Sequence, residues 1–118
     1  MEIRMKFALH RSLPFAALAA ALALSTNAWG VDAAAAQQLA RQSNCLKCHA
    51  VDKKKEGPAY KEVAAKYKGK PEAHARIIEH ITSGEKVKFE DGHEEDHAIV
   101  KTKDKGQIDN LVDWILAQ

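Results

Sequence analysis

Beyond its first thirty residues the chain has no methionine, because Met1 and Met5 are its only two. No later stretch is apolar enough to span a bilayer. Aromatic residues make up 6% of the sequence, and after residue 30 only Tyr60, Tyr67, Phe89 and Trp114 remain. A short domain with so few large apolar side chains is marginally able to build its own core and usually needs a staple. Cysteine is scarce as well, with two in 118 residues. That excludes a disulfide framework. There is no glycine-rich phosphate loop, no internal repeat, no long linker and no catalytic triad, so neither nucleotide chemistry nor an enzyme is expected.

The first thirty residues read as a separate segment. Arg4, Lys6 and Arg11 form a basic start, Leu13 to Leu24 is an apolar run rich in alanine, and Ser25, Thr26, Asn27 and Ala28 are small or polar. This is the layout of a secretory signal peptide, with cleavage after Ala28 or Gly30. The expected division is an export signal at residues 1–30 and one domain at 31–118, with no stable membrane insertion after cleavage. The formal charge of +2 belongs to the leader, so the remaining domain is near neutral. Charge is segregated within it: eight lysines face three acids between Cys45 and Lys70, and nine acids face five lysines from Glu85 onward. A near-neutral exported domain is a poor nucleic-acid binder.

Cys45 and Cys48 lie in "CLKCH". A disulfide across two intervening residues closes a tiny loop and staples nothing distant. A thioredoxin-like pair wants a βαβ setting, which the sequence does not offer, and a structural zinc site would need two more ligands at suitable spacing. Cys-x-x-Cys-His is the signature of covalent haem attachment. The spacing suits that chemistry. Two thiols add across two vinyl groups on one porphyrin edge, and the same turn brings His49 beneath the iron as proximal ligand. Haem would also supply the missing core, as a large flat apolar body that a short chain can wrap.

Helical periodicity predicts four helices and no convincing sheet. Asp32 caps "AAAAQQLARQ". "GPAYKEVAAKYKG" places Pro58 at a first helical position and Gly69 as a stop, and "PEAHARIIEHITSG" repeats the device with Pro71 and Gly84. A last helix, capped by Thr102 or Asp104, carries Ile108, Leu111, Val112, Ile115 and Leu116 on one side. Lys86 to Phe89 alternates polar and apolar ahead of the Asp91-Gly92 turn signal, the pattern of a short hairpin. His74 and His80 read as ordinary residues of the third helix.

"CLKCHAVDKKKEGPAYKEVAAKYKGK" followed by "IDNLVDWILAQ" resembles small bacterial monohaem class I cytochromes c of the periplasm, over nearly all of the chain beyond the leader. The resemblance implies an all-α fold, about four short helices around one covalent haem c. It implies that Cys45 and Cys48 carry the thioether bonds, that His49 is the proximal iron ligand, and that the Pro58 carbonyl accepts from the His49 ring, fixing it and raising its basicity. It also implies that Trp114 packs the last helix on the first. Ala40 stands near where relatives often have an aromatic, so that contact would rest on Leu39.

The family's second axial ligand is a methionine, which this domain lacks. His49, His74, His80, His93 and His97 are the histidines beyond the leader. Relatives place the methionine roughly sixteen residues before the aromatic of the last helix. His97 stands seventeen residues before Trp114 and His93 twenty-one. His97 is the expected distal ligand and His93 the runner-up, with an open iron, a lysine or another residue as remaining alternatives. The expected function is periplasmic electron transfer through a bis-histidine haem c. The alternatives are a small-ligand-binding haem protein with an open or detachable distal site, and an electron-transfer subunit of a larger periplasmic redox enzyme. Lys47, Lys53, Lys54, Lys55 and Lys61 surround the haem motif. They form either a solvated face or a docking patch for an acidic redox partner.

Overall fold

The computed structural model describes residues 30–118, so the expected export segment lies outside the described residues apart from Gly30. Four α-helices and one short hairpin follow in order: α1 Ala33–Gln42, α2 Tyr60–Tyr67, α3 Ala73–Ser83, β1 Lys86–Lys88, β2 Glu94–Asp96 and α4 Lys105–Leu116. No helix among the described residues is long and apolar enough to cross a membrane.

The terminal helices pack on each other and form the frame. Asp32 caps α1 by accepting from the Ala35 amide at 3.0 Å, satisfying one of the donors a helix start leaves free. The Asp32 amide donates to Asn110 Oδ1 at 2.8 Å, and Asn110 Nδ2 returns a bond to the Asp32 carbonyl at 2.9 Å. This reciprocal pair clasps the start of α1 to α4. Ala36, Leu39 and Ala40 bury one face of α1, and Leu111, Val112, Trp114 and Ile115 bury the facing side of α4. Small alanines at two of the three α1 positions let α4 approach closely. Asp104 caps α4 through the Gln107 amide at 2.8 Å, and the Thr102 hydroxyl accepts from the Asp104 amide at 3.1 Å. Thr102 thus braces the cap that Asp104 makes.

Helices α2 and α3 pack on α4 and start later than expected. Pro58 and Pro71 lie outside their helices, whose caps are Ala59 and Glu72. At α2 the Glu62 carboxylate reaches back to the Ala59 amide at 2.9 Å, and that bond sets the start in place of the proline. Both helices stop as expected, with Gly69 at φ 73° and Gly84 at φ 69°. At Gly84 an added Cβ would meet only the tip of the exposed Ile99 side chain, at 3.2 Å, so the backbone conformation is what calls for glycine there.

The hairpin pairs Lys86 with Asp96 and Lys88 with Glu94, antiparallel, and turns at Gly92 with φ 92°. Its stem closes through the His97 amide on the Glu85 carbonyl at 2.9 Å. Just beyond, the Val100 amide bonds the Ile81 carbonyl at 2.9 Å. Residues 97–100 are thereby strapped across the end of α3, which fixes where His97 points.

Candidate functional site

The Cys-x-x-Cys-His stretch forms a tight turn. Cys45–Lys47 is one turn of 3₁₀-helix, entered through Asn44 at φ 61°. The Cys48 and His49 amides both bond the Cys45 carbonyl, at 3.2 and 3.0 Å. Cys45 and Cys48 are not joined to each other by a disulfide. Burial pushes the Cys45 thiol up, and burial together with the neighbouring Glu56 carboxylate does the same to Cys48. Cys48 Sγ lies 3.5 Å from Glu56 Oε2.

His49 projects from this turn into the interior. Its Nδ1–H donates to the Pro58 carbonyl at 2.7 Å. Its ring stacks on Tyr60 with centroids 5.2 Å apart, and Tyr60 meets Trp114 edge-on at 5.5 Å. Gly57 lies against the same imidazole: a Cβ there would sit 2.6 Å from His49 Cε1 and 2.9 Å from Nδ1. Gly57 is not among the glycines with positive φ, so space alone demands glycine at this position. Burial lowers the His49 pKa below its usual 6.5, and the Pro58 bond opposes that only in part. The ring is neutral near pH 7, with the proton on Nδ1 and the Nε2 lone pair free.

His97 faces His49 with ring centroids 6.2 Å apart and planes inclined by 54°. Its Nδ1–H donates to the Ala98 carbonyl at 2.9 Å, and burial lowers its pKa as well. Two adjoining cavities, of about 330 and 550 Å³, share Cys45, His49, Pro58, Arg76, His80 and His97 in their walls. Val63, Ile77, Ile81, Leu111 and Ile115 make the first cavity apolar.

His93 is elsewhere. At the hairpin tip its ring stacks on Phe89 at 4.3 Å, Nδ1 pairs with Asp91, and Nε2 lies 3.3 Å from Glu95. It lines neither cavity. His74 is also remote, with Nε2 3.2 Å from Asp113 on α4. His80, read from sequence as an ordinary helix residue, lines both cavities and lies 4.0 Å from the His97 ring. Its position one turn before the Gly84 stop, on the face shared with Ile77 and Ile81, is the signal that could have found it.

The residues present fit a haem. Two imidazole rings that share one metal atom, each through a nitrogen about 2 Å away, have centroids about 6 Å apart. His49 and His97 have that spacing, across an apolar space with two thiols in its wall. Four helices, of which α2, α3 and α4 line such a space, with a Cys-x-x-Cys-His turn set into its wall, define a small haem c protein.

Comparison with known proteins gives the family. The cytochrome c family matches residues 33–118. The chain is 40% identical over 67 residues to cytochrome c-551 of Pseudomonas aeruginosa, covering 57% of this chain and 62% of that protein. It is 38% identical over 78 residues to cytochrome c-551 of Allochromatium vinosum, covering 66% and 80%. Among solved structures, the class 1 cytochrome MtoD from Sideroxydans lithotrophicus ES-1 is 58% identical, with a TM-score of 0.71 over 75% of this chain and 97% of that one. Wild-type cytochrome c552 of Nitrosomonas europaea is 30% identical, with a TM-score of 0.54 over 69% and 96%. The chain belongs to the cytochrome c family and has the class I fold. It carries one covalent haem c, for which the Cys45–Cys48 pair fits the motif.

Proposed function

We propose that this chain is an exported electron carrier whose single haem is closed on both faces by histidine. Cys45 and Cys48 form the thioether bonds, His49 is the proximal ligand and His97 the distal one. A haem iron with a protein ligand on each face takes up and releases one electron with little rearrangement. The observation that carries the reading is the 6.2 Å spacing of the His49 and His97 rings.

Each residue has a separate task. The Pro58 carbonyl holds the His49 ring by its Nδ1–H and makes Nε2 a better donor. The Ala98 carbonyl does the same for His97. Apolar side chains around the cavity exclude water. A second imidazole in place of a thioether removes the ligand that raises potential in Met/His cytochromes, so this carrier works at lower potential than they do. Residues 1–30 act as a cleaved export signal, which puts the domain in the periplasm. Its partners are redox proteins that dock near the haem motif, where lysine is in excess.

Visible spectra of the intact protein in both oxidation states, with and without carbon monoxide, test the proposal. Low-spin spectra and a ferrous form that ignores carbon monoxide are expected. A native ferrous protein that binds carbon monoxide readily would instead be a small-ligand-binding haem protein.

A further inference from the structure

Three histidines, rather than two, line the space that the haem occupies. We infer that His80 is a second distal ligand, held in reserve beside His97 and able to replace it on the iron. The inference rests on the proposed reading of His97 as the resting ligand.

All three cavity histidines share one hydrogen-bond pattern. His49 gives its Nδ1–H to the Pro58 carbonyl at 2.7 Å, and His97 gives its own to the Ala98 carbonyl at 2.9 Å. His80 Nδ1 pairs with the Glu85 carboxylate, which Arg76 Nη2 braces at 2.7 Å. Each pairing leaves the Nε2 lone pair unclaimed, the arrangement that metal-ligating histidines ordinarily have. The other two histidines among the described residues lack it. His74 spends Nε2 on Asp113, and His93 has both nitrogens engaged by Asp91 and Glu95.

Geometry allows the exchange. The His80 and His97 rings lie 4.0 Å apart, so the volume that one vacates adjoins the other. They differ in support. His80 stands within α3, whereas His97 lies on the loop that leaves the hairpin, tied by its own amide to Glu85. A carboxylate partner also makes the His80 imidazole a stronger electron-pair donor than a carbonyl partner would. In the exchange the Nε2–iron bond of His97 breaks and that of His80 forms. One imidazole nitrogen replaces another on the iron, so the exchange itself moves no electron.

The test uses the haem-loaded protein with His97→Ala, His80→Ala and both together, read by ferric spin state and by carbon monoxide binding to the ferrous form. His80→Ala is expected to keep the native low-spin spectrum. His97→Ala is expected to remain low-spin with altered g-values and to exclude carbon monoxide, and the double variant to turn high-spin and bind it. In the His97→Ala background, Glu85→Gln should weaken the His80 bond by about 10- to 100-fold and raise the high-spin fraction. If His97→Ala does not mature with haem, His97→Gln, which keeps bulk but offers no imidazole, is compared in the same way.

A His97→Ala protein as high-spin as the double variant would overturn the inference and leave His97 as the sole distal ligand. High-spin iron in His80→Ala alone, with His97→Ala unchanged from native, would instead overturn the reading of His97 as the resting ligand. A double variant that stays low-spin would show that another residue ligates and would also end the inference.

Discussion

Gly57 and His49 are in contact across the space where any other residue would carry its Cβ. That atom would lie 2.6 Å from Cε1 of the ring and 2.9 Å from Nδ1. The neighbouring amides leave little room for the loop to yield, because Gly57 N–H bonds the Cys48 carbonyl at 2.8 Å and its carbonyl accepts from Lys55 at 3.0 Å. The ring must move instead, and its bond to Pro58 suffers. Gly57→Ala is therefore expected to retain covalent haem while raising the reduction potential, because a less basic His49 stabilises the ferric form less. Each tenfold change in relative ferric and ferrous stabilisation corresponds to about 59 mV for one electron. Voltammetry of the variant against the native protein measures it, and an unchanged potential would show that the ring is not displaced.

At the hairpin tip His93 and Asp91 titrate as a pair. Asp91 holds the His93 pKa above its usual 6.5, and His93 in turn holds the Asp91 carboxyl below its usual 3.8. A raised histidine stabilises fully below pH 6.5, and that contribution fades as pH rises through the folded value. A depressed aspartate stabilises above pH 3.8, and that contribution fades as pH falls through its folded value. The tip should be best protected between those two limits. Amide exchange at Gly92 and His93 across pH reads this directly. His93→Ala should flatten the dependence while leaving the visible spectrum of the haem unchanged, since this ring lines neither cavity.

Much of this molecule is legible in its sequence, for identifiable reasons. The haem motif is a local signature, and the helix stops at Gly69 and Gly84 and the cap at Asp104 follow from backbone chemistry. The helix starts at Pro58 and Pro71 were misplaced because Glu62 and the preceding turn decide them, and proline alone does not. His80 was missed for a different reason. On a helix its spacing is that of any buried-face residue, and only the strap of residues 97–100 over the end of α3 reveals that it meets His97. Nor could sequence show that Lys54 and Lys61 of the basic stretch already have carboxylate partners.

Among the described residues, Ser43 is the one buried polar residue, 1% exposed at the end of α1. Its hydroxyl accepts from the Lys101 amide at 2.9 Å, joining α1 to the segment that leads into α4. Ser43→Ala would leave that amide without its acceptor in a partly buried place. Loss of about 1–3 kcal/mol is expected, seen as a lower denaturant midpoint with an unchanged slope. Haem content should not change, because Ser43 lines neither cavity.

The basic face can be tested for steering with a charge-neutral control. Lys54 pairs with Glu90 and Lys61 with Asp52, while Lys55 Nζ donates to the Leu46 carbonyl at 2.8 Å. Among the described residues, Lys47, Lys53 and Lys55 are in no ion pair, since a neutral carbonyl leaves the charge of Lys55 uncancelled. If the face attracts an anionic partner, these unpaired lysines supply most of the field. With ferricyanide as oxidant, Lys47→Gln with Lys53→Gln should slow bimolecular oxidation severalfold at low ionic strength. The paired change Lys54→Gln with Glu90→Gln removes no net charge and should leave the rate nearly as it was. Both differences should vanish near 1 M salt, where the screening length is about 3 Å. Equal rates for all three proteins at low salt would identify the lysines as an ordinary solvated face.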